Sequence, residues 1–120
     1  MIVVSDETYQ ERVLGSGYPV LLVFGRRGDL DSRVMGPELV AFEAKMDGRV
    51  LVAAVDIESC PEICRQWGVG FDAPVLIFLR YGVMERVLHG VRPAARIERD
   101  LAEYFGGEPE HFTLPPDVRP

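Results

Sequence analysis

Apolar positions along the chain fall into two kinds of pattern. Val20 to Phe24 and Arg49 to Val55 are near-continuous runs rich in β-formers, the pattern of strands covered on both sheet faces. Pro74 to Leu79 and Val83 to Leu88 are two further strands, separated by Arg80-Tyr81-Gly82, which is tight enough for an antiparallel hairpin. Helical spacing appears elsewhere. Met35, Leu39, Phe42 and Met46 form one stripe that Asp47-Gly48 closes, and Pro37 must either open or kink that helix. Before it, Gly25 to about Ser32 reads as an irregular loop. Ile97, Leu101 and Phe105 mark a last helix, opened by Pro93 and stopped by Gly106-Gly107.

Two more helices are expected on weaker grounds. Ser5-Asp6-Glu7 can cap a first helix running to about Leu14, with Tyr9 and Val13 on one face. Ser59-x-x-Glu62, with Pro61 in the first turn, reads as a capping box for a short helix to Trp67, whose indole packs at the helix end. With a short edge strand at Ile2 to Val4, the order is β, α, β, α, β, α, β, β, α. The first two long strands are then parallel through a crossover helix, and the last two antiparallel. One domain spans residues 1–107, and the four prolines of residues 108–120 make an extended tail.

Composition narrows the function. A formal net charge of −6 argues against a nucleic-acid backbone and favours a basic guest. Of the 13 basic residues only Lys45 is lysine, which leaves forked guanidinium groups suited to carboxylates. The longest apolar runs are strand-sized, so no membrane span is expected, and the opening residues lack a basic leader, giving a cytoplasmic reading. Two cysteines, Cys60 and Cys64, with His89 and His111 far off, supply no four-ligand zinc set. No metal or cofactor is expected. Asp29 and Asp31 are too few for a hard-cation loop and read as a solvated acidic segment, and Arg27-Gly28-Asp29 reads as a chance adhesion tripeptide.

The element order, together with Val20 to Phe24, Val52 to Glu58, Cys60-Pro61 to Gly68-Val69, Pro74-Val75, Tyr81-Gly82, and Gly90 with Pro93, resembles the thioredoxin family from Ser5 to Phe105. The resemblance implies an α/β thioredoxin-like fold, a central mixed sheet of four to five strands flanked by about four helices. It also implies a cis peptide at Ala73-Pro74, although Gly68 to Pro74 is one residue longer than the usual family stretch. Aligned without gaps from Val20 to Pro37, the place where that family carries Trp-Cys-Gly-Pro-Cys reads Gly28-Asp29-Leu30-Asp31-Ser32. Asp29 and Ser32 replace both cysteines. Val23 stands for the family's buried aspartate and Ala54 for the lysine near it. Disulfide exchange needs a low-pKa thiolate and a resolving thiol, so the expectation is a binding protein and no enzyme.

By the same resemblance, a shallow groove for an extended peptide would comprise Arg26, Arg27, Gly28, Asp29, Leu30, Asp31 and Ser32, then Phe71, Asp72, Ala73 and Pro74, then Gly90, Val91 and Arg92. Its acidic rim, Asp29, Asp31 and Asp72, suits a basic segment. The alternative is an oxidoreductase using Cys60 and Cys64 as a displaced pair, with Cys60 in a helix's first turn. Four apart on one helix, however, the two are poorly placed for an unstrained disulfide. The missing cysteines, the lengthened Gly68 to Pro74 loop and Val87-Leu88-His89-Gly90-Val91-Arg92-Pro93 are similar to hydrogenase-maturation accessory proteins of the HyaE type. That likeness implies a chaperone whose partner bears a basic signal peptide.

Overall fold

The computed structural model describes residues 1–70 and 72–105. Phe71, Gly106, Gly107 and the tail over 108–120 lie outside the described residues. Five strands, β1 (Ile2–Val4), β2 (Val20–Gly25), β3 (Leu51–Asp56), β4 (Val75–Arg80) and β5 (Val83–His89), form one mixed sheet in the order β1-β3-β2-β4-β5. β3 is parallel to both β1 and β2, whereas β4 is antiparallel to β2 and β5. At the hairpin tip Tyr81 and Gly82 both take positive φ, 54° and 76°, the conformation whose twist matches that of the flanking strands.

Side chains alternate across the sheet, which explains why β2 is apolar at every position from Val20 to Phe24. Leu22 and Phe24 pack with Val55, Ile77 and Ile63 under helix α2 (Pro61–Trp67). Leu21 and Val23 face the other way, with Met35, Leu39 and Phe42 of α1 (Leu30–Met46) and Ile97 of α3 (Ala94–Asp100). Phe24, Phe42 and Phe78 are fully buried, and truncating such a residue to alanine costs about 3–5 kcal/mol. Trp67 packs on the first cluster as expected and donates Nε1–H to the Tyr9 hydroxyl at 2.6 Å, while burial raises the pKa of that hydroxyl.

Several local expectations are corrected. The first helix is only a turn followed by a five-residue π-helix, Gln10–Leu14, although Ser5 does accept the Thr8 N–H at 3.3 Å. Only Tyr9 and Val13 of that segment are buried, too few to hold a longer helix on the sheet. α1 begins at Leu30, inside the segment read as loop, and it contains Pro37 in its interior. The preceding Gly36 has no Cβ to clash with the proline ring, which lets the helix pass through. The last helix divides into α3 and a 3₁₀ turn, Ala102–Phe105.

The capping box at Ser59 does not form. Cys60 is the residue before α2, with no side-chain cap of its own, and Glu62 pairs instead with Arg65. The cap comes from Asp6, whose carboxylate accepts the N–H of Glu62 at 3.2 Å and of Ile63 at 3.0 Å. Since Pro61 has no N–H, these two bonds satisfy the free donors of the helix's first three positions.

Candidate functional site

Register alone brings three loops to one end of the sheet. Phe24 at the end of β2 lies beside Val75 at the start of β4, and Val75 pairs with His89 at the end of β5. The segments following β2, preceding β4 and following β5 therefore converge, as the groove assignment requires. Gly90 N–H donates to the Pro74 carbonyl at 2.9 Å, and Glu38 of α1 accepts the Ala94 N–H at 2.9 Å, tying the third segment to both neighbours. The Ala73-Pro74 peptide is cis. Asp72 is exposed and Ala73 half-buried, and among the described residues the Ala73 N–H and C=O have no hydrogen-bond partner.

The two positions that would carry the dithiol are bonded to each other. Asp29 is the N-cap of α1, and its Oδ2 accepts the Ser32 N–H at 2.9 Å and the Ser32 hydroxyl at 2.8 Å. The same hydroxyl accepts the Arg26 N–H at 3.1 Å, closing the loop on itself. Gly25 makes room: a Cβ there would lie 3.1 Å from Ser32 Oγ. The Ser32 hydroxyl, then its N–H, then the charge of Arg26 hold the Asp29 carboxyl below its ordinary pKa, outweighing desolvation. Asp29 is thus an ionised cap rather than an uncommitted rim charge. Neither group supplies a thiolate.

The remaining groove residues divide between surface and support. Leu30, at 70% exposure, and Val91, at 40%, present apolar surface at this end of the sheet. Arg27, Gly28 and Asp31 are exposed as well. Arg92 is turned inward: its guanidinium bonds Asp100 Oδ2 at 2.6 Å and the His89 carbonyl, so it braces the third loop and contributes no rim charge. The rim is accordingly mixed: Arg26 and Arg27 share the loop that leads to Asp29, Asp31 lies in the first turn of α1, and Asp72 precedes β4.

Cys60 and Cys64 are both free and buried. Cys60 Sγ lies 3.6 Å from the Val4 carbonyl and Cys64 Sγ 3.9 Å from that of Ile57, contacts in which a protonated thiol is the donor. Burial raises both thiol pKa values, and neighbouring Asp6 and Asp56 add to the effect. That is the opposite of the shift a helix N-terminus was expected to produce, because desolvation dominates.

Sequence reasoning identified Val23 and Ala54 only as substitutions. The structure shows them side by side in the β2–β3 register, on the wall of a cleft of about 440 Å³ beneath the loop, with Ser32, Gly36 and Leu39 of α1 opposite. It also reveals Glu43, buried in the apolar stripe of α1, which accepts the Val52 N–H at 3.0 Å and pairs with the Met1 ammonium. Its spacing, four after Leu39 and three before Met46, was the available signal. Among the described residues no group of three metal-ligating side chains occurs and no helix is long and apolar enough to cross a membrane.

Comparison with known proteins agrees with this architecture. The chain is 29% identical over 99 residues to the thioredoxin of Alicyclobacillus acidocaldarius, covering 82% of this chain and 92% of that protein. It is 24% identical over 102 residues to thioredoxin 1 of Nostoc sp., covering 85% and 94%. It is 26% identical over 98 residues to the mitochondrial thioredoxin of Mus musculus, covering 82% of this chain but only 58% of that protein's length. A sequence profile of the family described as Thioredoxin matches residues 1–103, and with the five-stranded mixed sheet and its flanking helices this chain belongs to the thioredoxin family.

Proposed function

We propose that this protein is a redox-inactive thioredoxin-fold binding module, with no enzymatic activity, that holds an extended segment of a partner polypeptide across the three converging loops. The observation that carries the reading is the backbone N–H and C=O of Ala73, which have no partner among the described residues, at the same end of the sheet as exposed Leu30 and Val91. An extended guest pairing with Ala73 needs no catalytic side chain, as in other strand-addition modes. The dithiol positions support the same reading, since the Asp29–Ser32 couple offers a fixed surface and no electron-transfer chemistry. Relatives named thioredoxin carry the alternative of oxidoreductase activity, but the buried, raised-pKa thiols of Cys60 and Cys64 are poorly suited to it.

The likeness to hydrogenase-maturation accessory proteins makes the partner a chaperoned subunit with an arginine-bearing signal peptide, bound in the cytoplasm. Asp29, Asp31 and Asp72 would steer it, and affinity should weaken as salt rises, whereas the backbone pairing at Ala73 resists salt. The test titrates such a peptide against wild type and a triple Asp29→Asn, Asp31→Asn, Asp72→Asn variant at two ionic strengths. Chemical-shift changes at Leu30, Ala73 and Val91 are expected, with the salt dependence reduced in the variant. Shifts confined to the opposite face, or insulin reduction comparable to an ordinary thioredoxin, would remove the proposal.

A further inference from the structure

The cleft beneath the loop follows from how the sheet is covered. Val3, Ala54 and Val23 form one cross-strand row over β1, β3 and β2, on the face that carries α1 and α3. The row continues through Leu76 to Leu88, both buried in the cluster that holds Ile97 of α3. At the β1 end α1 is the neighbouring helix, and Val3 is left 75% exposed with Ala54 half-buried. Ala54 is the smallest residue of the row, so the floor dips there. The result is an apolar trough of about 440 Å³, within the range of about 300–1,000 Å³ typical of small-molecule sites.

The rim of this trough has a definite charge. Arg26, Arg27 and Arg33 line it against a single carboxylate, Asp56. Asp56 is already engaged, accepting the Glu58 N–H at 3.1 Å. Arg27 and Arg33 are exposed and form no ion pair with any described residue. Arg26 is more telling. Its Nε is shut off from solvent and has no hydrogen-bond partner among the described residues, an arrangement that buried donors rarely keep. A guanidinium whose Nε–H lacks a partner beside an apolar trough calls for an acceptor with a hydrocarbon body, and a carboxylate matches its fork.

We propose that this trough binds a small amphipathic carboxylate, a medium-chain acyl acid, with its head group on Arg26 and its chain along Val3, Ala54, Val23 and Leu39. The trough shares Arg26, Arg27 and Ser32 with the first loop of the peptide groove, but it lies on the α1 face of the sheet and uses no atom of Ala73 or Val91. The test uses octanoate and its neutral analogue octanamide, followed by calorimetry and by amide chemical shifts of Val23, Leu39 and Ala54. Wild type should bind octanoate at least about tenfold more tightly than octanamide, the difference that a charge-assisted hydrogen bond supplies. In Arg26→Gln the two ligands should bind alike, and in Ala54→Leu, which fills the floor, both should be lost. Equal affinity of the two ligands for wild type would overturn the proposal without recourse to any variant. So would absence of binding at millimolar concentration, shifts mapping to Ala73 and Val91, or binding of an acidic peptide but not octanoate, which would make the trough a protein contact.

Discussion

Replacing Asp6 by alanine removes the acceptor for two α2 donors at once, the N–H groups of Glu62 and Ile63, leaving the first turn without a cap. Loss of a helix cap costs typically about 1 kcal/mol, within a range of about 0.5–2. A carboxylate at the positive end of the helix dipole adds about 0.3–1 kcal/mol. The expected loss is therefore about 2 kcal/mol. For a domain of this size each kcal/mol moves the melting temperature by roughly 4 °C, so the variant should melt about 8 °C lower. In urea the midpoint should fall while the slope stays unchanged, since the surface exposed on unfolding is the same. Asp6→Asn retains an acceptor oxygen and should recover part of the loss. The decisive comparison is Ser59→Ala, which removes the residue that the sequence marks as the cap. Its hydroxyl meets only Cys60 Sγ, 3.9 Å away, and the change should stay within about 0.5 kcal/mol. Equal costs for Asp6→Ala and Ser59→Ala would refute the long-range cap.

The depressed pKa of Asp29 means that its carboxylate stabilises the fold above the ordinary value of 3.8, and that this contribution disappears as pH falls through and below that value. Asn also caps helices well, so Asp29→Asn should lose ground to wild type at neutral pH and close the gap in acid. A stability difference constant with pH would contradict the assignment. Cys60 and Cys64 should react slowly with an aromatic disulfide reagent in the native protein and both rapidly in denaturant, as buried thiols with raised pKa values require; a fast native burst would contradict their placement. A double Asp29→Cys, Ser32→Cys variant should fold yet fall well short of an ordinary thioredoxin in insulin reduction, because Val23 and Ala54 supply no proton-handling groups. Full activity would show those positions to be dispensable.

What could be read from the chain was governed by how local each determinant is. β2 and β3 were legible because strands buried on both faces must be apolar at consecutive positions, and α1 because Met35, Leu39, Phe42 and Met46 share one face. The start of α1 was misread because Leu30 and Val34 are apolar yet exposed, which blurs the stripe there. Asp29 and Ser32 do stand at cap spacing, so the earlier start was written in the sequence. The cap of α2 was not, since its acceptor is supplied from 56 and 57 residues away. Arg92 fell within the correct loop, but its commitment to Asp100 depends on how α3 docks. The convergence of the three loops could be traced by resemblance because strand register fixes it. The trough could not, because it is a consequence of which helix covers which end of the sheet.

The Asp29–Ser32 couple and the Val23–Ala54 pair bear on one another through position. Ser32 is both the partner of Asp29 and a wall of the trough, while Val23 and Ala54 form the facing wall. A thiol pair above an aspartate and a lysine would make this a route for protons between a buried base and a nucleophile. With an ionised cap above two hydrocarbon side chains, neither Val23 nor Ala54 can accept or deliver a proton to the loop. The hydroxyl of Ser32 is already bonded to Asp29 and Arg26, so it has no call on a base. With Val23 and Ala54 side by side, that wall of the trough is apolar. The geometry that remains fixes the start of α1 and leaves, on one side of the loop, an Ala73 backbone without a partner among the described residues and, on the other, an apolar trough, both of which suit the binding roles proposed above.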